Sequence, residues 1–341
     1  MSSIDDDGTP PEAGAASATG HRPRRRRRRI LIALGVVGAL VLAGCAVVGG
    51  YLYTLQDSFY SKSTQVALPE STHADGEGEN YLLLGSDKRD PDSAEAQTVK
   101  GQRSDVMMLV HVNADRTQAY VISFPRDLYV DIPGHGRNRI NSALAFGGIP
   151  LAVTTVEDYT GARIDDAALI DFDGVEGLVD ALGGVDVQVD QSFEGDGVQF
   201  TQGTQHMDGA TALTFVRQRK QLEDGDFARN RHQQALLAAI AAKIISADTL
   251  SNPIAIRELV DTTAPFMTVD EGLTPSAIAS TAYDLRSLRS SDIRYLSVPH
   301  AGPMTTDGGA SVVGTDEAGM DELRTALQED DMEGYYSSHS G

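Results

Sequence analysis

The chain has 341 residues, a formal net charge of −21 and a single cysteine, Cys45. The length holds one large domain with appendages or two smaller ones, and one cysteine excludes both an intrachain disulfide and a cysteine-based zinc site. Charge is segregated: residues 1–53 hold 7 basic and 4 acidic side chains, while the rest is strongly acidic, a surface that repels nucleic-acid phosphates and excludes nucleic acid as a partner of the main body.

Residues 1–29 read as a disordered, basic cytoplasmic tail, polar and aperiodic up to residue 20 and then carrying Arg22 and the unbroken run Arg24 to Arg29. Ile30 to Tyr53 is free of charged residues. As a helix this run would be about 36 Å long against a hydrocarbon core of about 30 Å, so 30–53 is expected to be one transmembrane helix. A cleaved signal peptide shares the basic start and apolar middle, but no Ala-x-Ala site ends the run. Leu42-Ala43-Gly44-Cys45 matches a lipobox, although the apolar run continues eight residues beyond it. Arginines on the amino side place that end in the cytoplasm and the main body outside the cell membrane, in single-pass type II orientation. Residues 54–79, rich in Ser, Thr, Pro, Gly and acidic residues, read as a stalk.

The main body, 80–335, is expected to be an α/β domain, with 336–341 a flexible C-terminus. Strands are expected at Asn80 to Gly85, Asp105 to Val112, Thr117 to Phe124, Ala167 to Phe172, Val185 to Val189 and Ile293 to Val298. Helices are expected at Ile140 to Phe146, Pro150 to Tyr159, Gly174 to Leu182, Asp208 to Val216, Asp226 to Ser246, Asn252 to Pro265, Pro275 to Leu285 and near Thr315 to Leu327. Strands interleaved with helices imply a central sheet covered on both faces.

The short turn at 113–116 makes the second and third strands antiparallel neighbours. With the first strand also antiparallel to the second, Asp87, Arg103, Asp105 and Arg126 gather at one edge of the sheet. Two carboxylates suit magnesium, which takes oxygen ligands and keeps waters or phosphate oxygens, and arginine forks match phosphate. The same residues also read as surface ion pairs. Arg217 and Arg219 follow a short helix. The long helix opens with Asp226, Arg229 and Gln233, whose offsets of three and four share a face near the positive end of the helix dipole. An apolar stripe of Leu236, Leu237, Ile240 and Ile244 is expected on the opposite face. A solvated basic face is the bland reading of the same spacing.

Seven blocks, in order, resemble the LytR-CpsA-Psr family: Leu82 to Arg89, Arg103 to Leu109, Ser123 to Asp127, Ile140 to Gly148, Asp180 to Val187, Asp208 to Arg219 and Asp226 to Gln233. The resemblance implies a three-layer α/β/α sandwich with a central mixed sheet and a hydrophobic pocket for a polyprenyl tail. It also implies a magnesium-dependent phosphotransferase that takes a glycopolymer from a polyprenyl-pyrophosphate carrier to a peptidoglycan acceptor through a phosphodiester bond. By motif position, Asp87 and Asp105 would hold Mg2+. Arg103, Arg126, Arg217 and Arg219 would be catalytic and grip the pyrophosphate, Arg229 and Gln233 would line the same site, and Asp226 would be a catalytic carboxylate nearby. A carboxylate among arginines is a weak general base. Leu144, Phe146, Leu178, Leu182, Leu237 and Ile240 are the expected walls of the lipid channel. Arg139 stands where the family often has Lys, and His232 where it often has Arg; His232 is expected at the surface. Two other functions share these groups: a pyrophosphate-cleaving hydrolase, and a polyprenyl-phosphate-binding membrane sensor that regulates envelope genes.

Overall fold

Alternating side chains and short apolar runs build one seven-stranded sheet, and the helices between the strands cover it. The structure, a computed structural model, describes residues 49–74, 76–86, 104–218, 226–244 and 246–339. Residues 49–62 form helix α1, which leads into β1 (Thr64–Val66). Then come β2 (Glu79–Ser86), β3 (Ser104–Val112), β4 (Ala119–Ser123), a hairpin of β5 (Tyr129–Ile132) and β6 (Gly136–Arg139), α2 (Ser142–Thr160), β7 (Asp166–Asp171) and α3 (Phe172–Ala181). β8 (Val185–Val189), β9 (Phe193–Gly195), β10 (Val198–Phe200) and β11 (Gly203–Met207) form two antiparallel pairs, β8 with β11 and β9 with β10. The chain continues through α4 (Gly209–Arg217), α5 (Asp226–Ile244), α6 (Ala247–Leu250), α7 (Pro253–Thr263), β12 (Met267–Asp270), α8 (Pro275–Asp284), β13 (Ile293–Ser297), a hairpin of β14 (His300–Thr305) and β15 (Ser311–Thr315), α9 (Glu317–Gln328) and α10 (Met332–His339).

The central sheet runs β1-β12-β7-β2-β3-β4-β13. It is mixed: β2, β3 and β4 are antiparallel neighbours, β7 lies parallel to β2, and β13 lies parallel to β4. Because successive side chains point to opposite faces, β2 divides its leucines. Leu82 and Leu84 join Met107, Leu109 and Ile122 in a core closed by α2, α9 and α10. Leu83 and Gly85 face the other way, towards α3, α4 and α5. A second core lies outside the sheet, where α3, α4 and α5 pack on the β8–β11 and β9–β10 pairs. The architecture is helices, mixed sheet, helices.

The segment expected as a stalk is partly built into this body. In α1, Leu55 and Phe59 are buried, Phe59 against Ala264 and Val269, and β1 adds to the sheet beside β12. The arginine run and most of Ile30 to Tyr53 lie outside the described residues. Among the described residues no helix is long and apolar enough to cross a membrane.

Candidate active site

Register brings three strand ends together. Ser86, the last residue of β2, pairs with Ser104 at the start of β3 and with Asp171 at the end of β7. Gly85 pairs with Val106 and Ser86 with Ser104, so Asp105 is the extra residue of a β-bulge, a device that re-aims a side chain and is common beside active sites. The next strand, β4, leaves the sheet at the same end, where the Phe124 amide donates to the Met107 carbonyl (3.0 Å) and Arg126 follows two residues later.

Asp87 and Arg103, in sequence immediately after Ser86 and immediately before Ser104, lie outside the described residues, as does Arg219. Asp105 and Asp226 are placed by backbone only, at the bulge and at the first residue of α5. Arg126 Nε lies 3.4 Å from Asp127 Oδ2, and Arg139 Nε lies 3.5 Å from Asp127 Oδ1. Arg139 also donates to the Ser311 carbonyl from Nη2 (2.7 Å). Its fork therefore ties the loop after β4 to β15.

An apolar cavity of about 290 Å³ opens beside these strand ends. Gly85, Val106 and Ile170 form its floor, α3 and α4 supply Phe172, Val175 and Leu213, and α5 supplies Gln233, Leu237, Ile240 and Ile244. This corrects the expected geometry of α5. Arg229, Gln233, Leu237, Ile240 and Ile244 follow each other at offsets of four, four, three and four, which is one helical face. The apolar stripe continues the polar one instead of opposing it. Gln234, next to Gln233, donates from Nε2 to Ser123 Oγ (2.9 Å) and to the Leu296 carbonyl (3.1 Å), fixing α5 to the ends of β4 and β13. Arg229 and Gln233 are both buried.

Arg217 ends α4 with its guanidinium carbon 4.5 Å from the centre of the Phe172 ring, in cation–π range. Phe172 also lines the cavity. The ring thus joins an arginine of the expected anion site to the apolar slot. Sequence reasoning missed it because Phe172 carries no charge; the signal was an aromatic residue directly after a helix-capping Asp171, whose Oδ1 accepts from the Gly174 amide (2.9 Å).

Other expectations need correction. Leu178, Leu237 and Ile240 do line the cavity. Leu144 belongs to the core behind the sheet, Leu182 to the outer core, and Phe146 is 46% exposed and stacked on His135. His232 is fully buried, with ring centroids 5.1 Å from Phe193 and 4.1 Å from Phe215. Its Nδ1 donates to the Phe215 carbonyl (3.2 Å), and burial pushes its pKa below the usual value despite the nearby Asp190 carboxylate. It is a packing residue of the wall behind α5.

Among the described residues no group of three or more His, Cys, Asp or Glu is arranged to hold a metal ion. The side chains at the three strand ends, Ser86, Ser104 and Asp171, offer oxygen alone, a donor chemistry compatible with magnesium.

Comparison with known proteins places this geometry. The polyisoprenyl-teichoic acid–peptidoglycan teichoic acid transferase TagU of Bacillus mycoides (strain KBAB4) is 34% identical over 231 residues, covering 64% of this chain and 72% of that protein. The structure of TagT bound to LI-WTA superposes with a TM-score of 0.60 at 27% identity, covering 78% of this chain and 99% of that one. Bacillus subtilis TagV shares the fold, with a TM-score of 0.63 at 24% identity over 75% of this chain and 98% of that one. The LytR_cpsA_psr family model matches residues 51–329. A match over most of the chain shows that it belongs to the LytR_cpsA_psr family.

Proposed function

We propose that the protein is a phosphotransferase of cell-wall assembly, moving a glycopolymer from a polyprenyl-pyrophosphate carrier to peptidoglycan through a phosphodiester bond. The observation that carries this reading is the graded face of α5, Arg229 and Gln233 first and Leu237, Ile240 and Ile244 beyond, beside an apolar cavity of about 290 Å³. Such a face suits an amphiphile, with a diphosphate head at the strand ends and a hydrocarbon tail in the slot. The relatives named as polyisoprenyl-teichoic acid–peptidoglycan transferases support the same substrate classes.

In this reading an acceptor hydroxyl attacks the phosphorus that bears the polymer. A new P–O bond forms, the bond to the bridging oxygen of the diphosphate breaks, and prenyl monophosphate leaves. Phosphoryl transfer depends on positioning and charge stabilisation more than on covalent help. Arg126 and Arg217, with Arg103 and Arg219, would bind the non-bridging oxygens, where charge is spread in the transition state. Gln233 would orient the head from the cavity rim. Asp226, the first residue of α5, would be the carboxylate that assists the attacking hydroxyl. Magnesium, held by Asp87 and Asp105, would offset charge on the diphosphate. The apolar run 30–53 would anchor the body at the outer face of the membrane, where the carrier resides.

In a reconstituted assay with lipid-linked donor and glycan acceptor, Arg217→Ala should lose transfer by at least 100-fold, on the order of the loss of one transition-state donor, with its melting temperature unchanged. Full activity in that variant would remove the arginine from the reaction. Omitting the acceptor should stop release of prenyl phosphate; undiminished release would make the protein a hydrolase. Chelation of divalent ions should abolish transfer and added Mg2+ restore it, whereas activity that survives chelation would exclude the metal.

A further inference from the structure

Phe172 is a single ring with two neighbours of opposite character. On one side it forms part of the cavity wall with Val175 and Leu213. On the other it carries the Arg217 guanidinium, 4.5 Å from its centroid. Its backbone is fixed, because it is the first residue of α3 and the buried Asp171 before it caps that helix. The ring can respond to its surroundings only by turning about its side-chain bonds.

We infer that Phe172 is a specificity-determining positioning residue, through which an occupied apolar cavity strengthens the hold of Arg217 on a diphosphate. The inference rests on the amphiphilic-substrate reading above. A hydrocarbon tail packed on the ring restricts its rotation and so fixes the platform under the cation. It also excludes water from the ring, and a cation–π contact gains strength as it is desolvated. Arg217 is exposed in the structure, so its contact with Phe172 is at the weak end of that range and has room to strengthen. A soluble diphosphate brings a head but no tail and leaves the contact wet. Head and tail are then recognised cooperatively, and the site discriminates against nucleoside diphosphates and free pyrophosphate that share the head alone.

The test is a mutant cycle read with two probes, farnesyl diphosphate and inorganic pyrophosphate, titrated calorimetrically into the full-length protein in one magnesium buffer. Phe172→Leu keeps an apolar wall and removes the π face. In the wild-type background Arg217→Gln should weaken farnesyl diphosphate roughly tenfold and pyrophosphate about twofold. In the Phe172→Leu background the arginine substitution should cost the two probes the same small factor. Phe172→Tyr should restore the difference, which a merely structural role for the ring would not require, and its melting curve reports whether the fold is intact. An Arg217→Gln penalty equal for both probes in the wild type would overturn the inference while leaving the diphosphate reading in place. Failure of the wild type to bind farnesyl diphosphate would overturn both.

Discussion

Asp166, at the start of β7, shows how burial at the far end of the sheet sets a pH response. Burial pushes its pKa up to about 6, and the neighbouring Asp270 and Asp165 carboxylates add to the shift. Between the ordinary carboxylate value of 3.8 and about 6 the folded protein holds a proton that the unfolded chain has lost. Stability therefore falls as pH rises through that window. Asp166→Asn should raise the melting temperature more at pH 7.5 than at pH 4, measured by thermal denaturation at both; an equal shift would mean that Asp166 carries an ordinary pKa. His232 marks the limit of reading single residues in sequence. Its neighbours Arg231 and Gln233 are polar, so the chain around it looked like surface. The aromatic pocket that takes it in is built by Phe193 and Phe215, which are distant in sequence. Phe172 escaped notice for the same reason: its importance lies in what two other elements bring to it.

At the scale of elements, α2 carries its own explanation. Helical periodicity stops at Gly147 and resumes at Pro150, and the structure kinks there. Gly148 has φ 66° and ψ −160°, a region open essentially to glycine alone, and Pro150 fits the first turn of the second segment, where its missing amide goes unused. Gly148→Ala should cost about 1–3 kcal/mol, measured as a lower denaturant midpoint at unchanged slope; a midpoint equal to the wild type would show that the kink is not needed. The strands legible in sequence, β2, β3, β4, β7, β8 and β13, are the apolar ones. β1, β5, β6, β9, β10, β11, β12, β14 and β15 were not, since most have three to five residues and several hold Gly, Gln, Asp or Arg. Their stability comes from pairing with chain segments that no local window contains. On α5 the error was one of phase: counted along the helix, Gln233 and Leu237 share a face.

For the whole molecule, the sheet end where β2, β3 and β4 converge followed from two antiparallel pairings, and so did the neighbourhood of Asp105 and Arg126. The cavity did not. It arises because α3, α4 and α5 stand off the front face of the sheet while α2 and α9 close on the back. Leu237→Trp, directed into that space, should weaken farnesyl diphosphate at least tenfold, the cost of displacing a few buried methylenes of about 0.8 kcal/mol each, while the melting temperature stays within a few degrees. Unchanged affinity would place the tail elsewhere.

The small strand β1 is hydrogen-bonded to β12 over three residue pairs, and just before it Lys62 Nζ reaches Asp261 Oδ1 of α7 (2.8 Å), which Ser58 Oγ also contacts. A mechanical load entering at residue 52 would meet this seam before any other part of the sheet. The strand at the opposite edge, β13, would feel it last. Tension applied from that side should therefore peel the margin farthest from β4 and leave the Arg126 loop undisturbed.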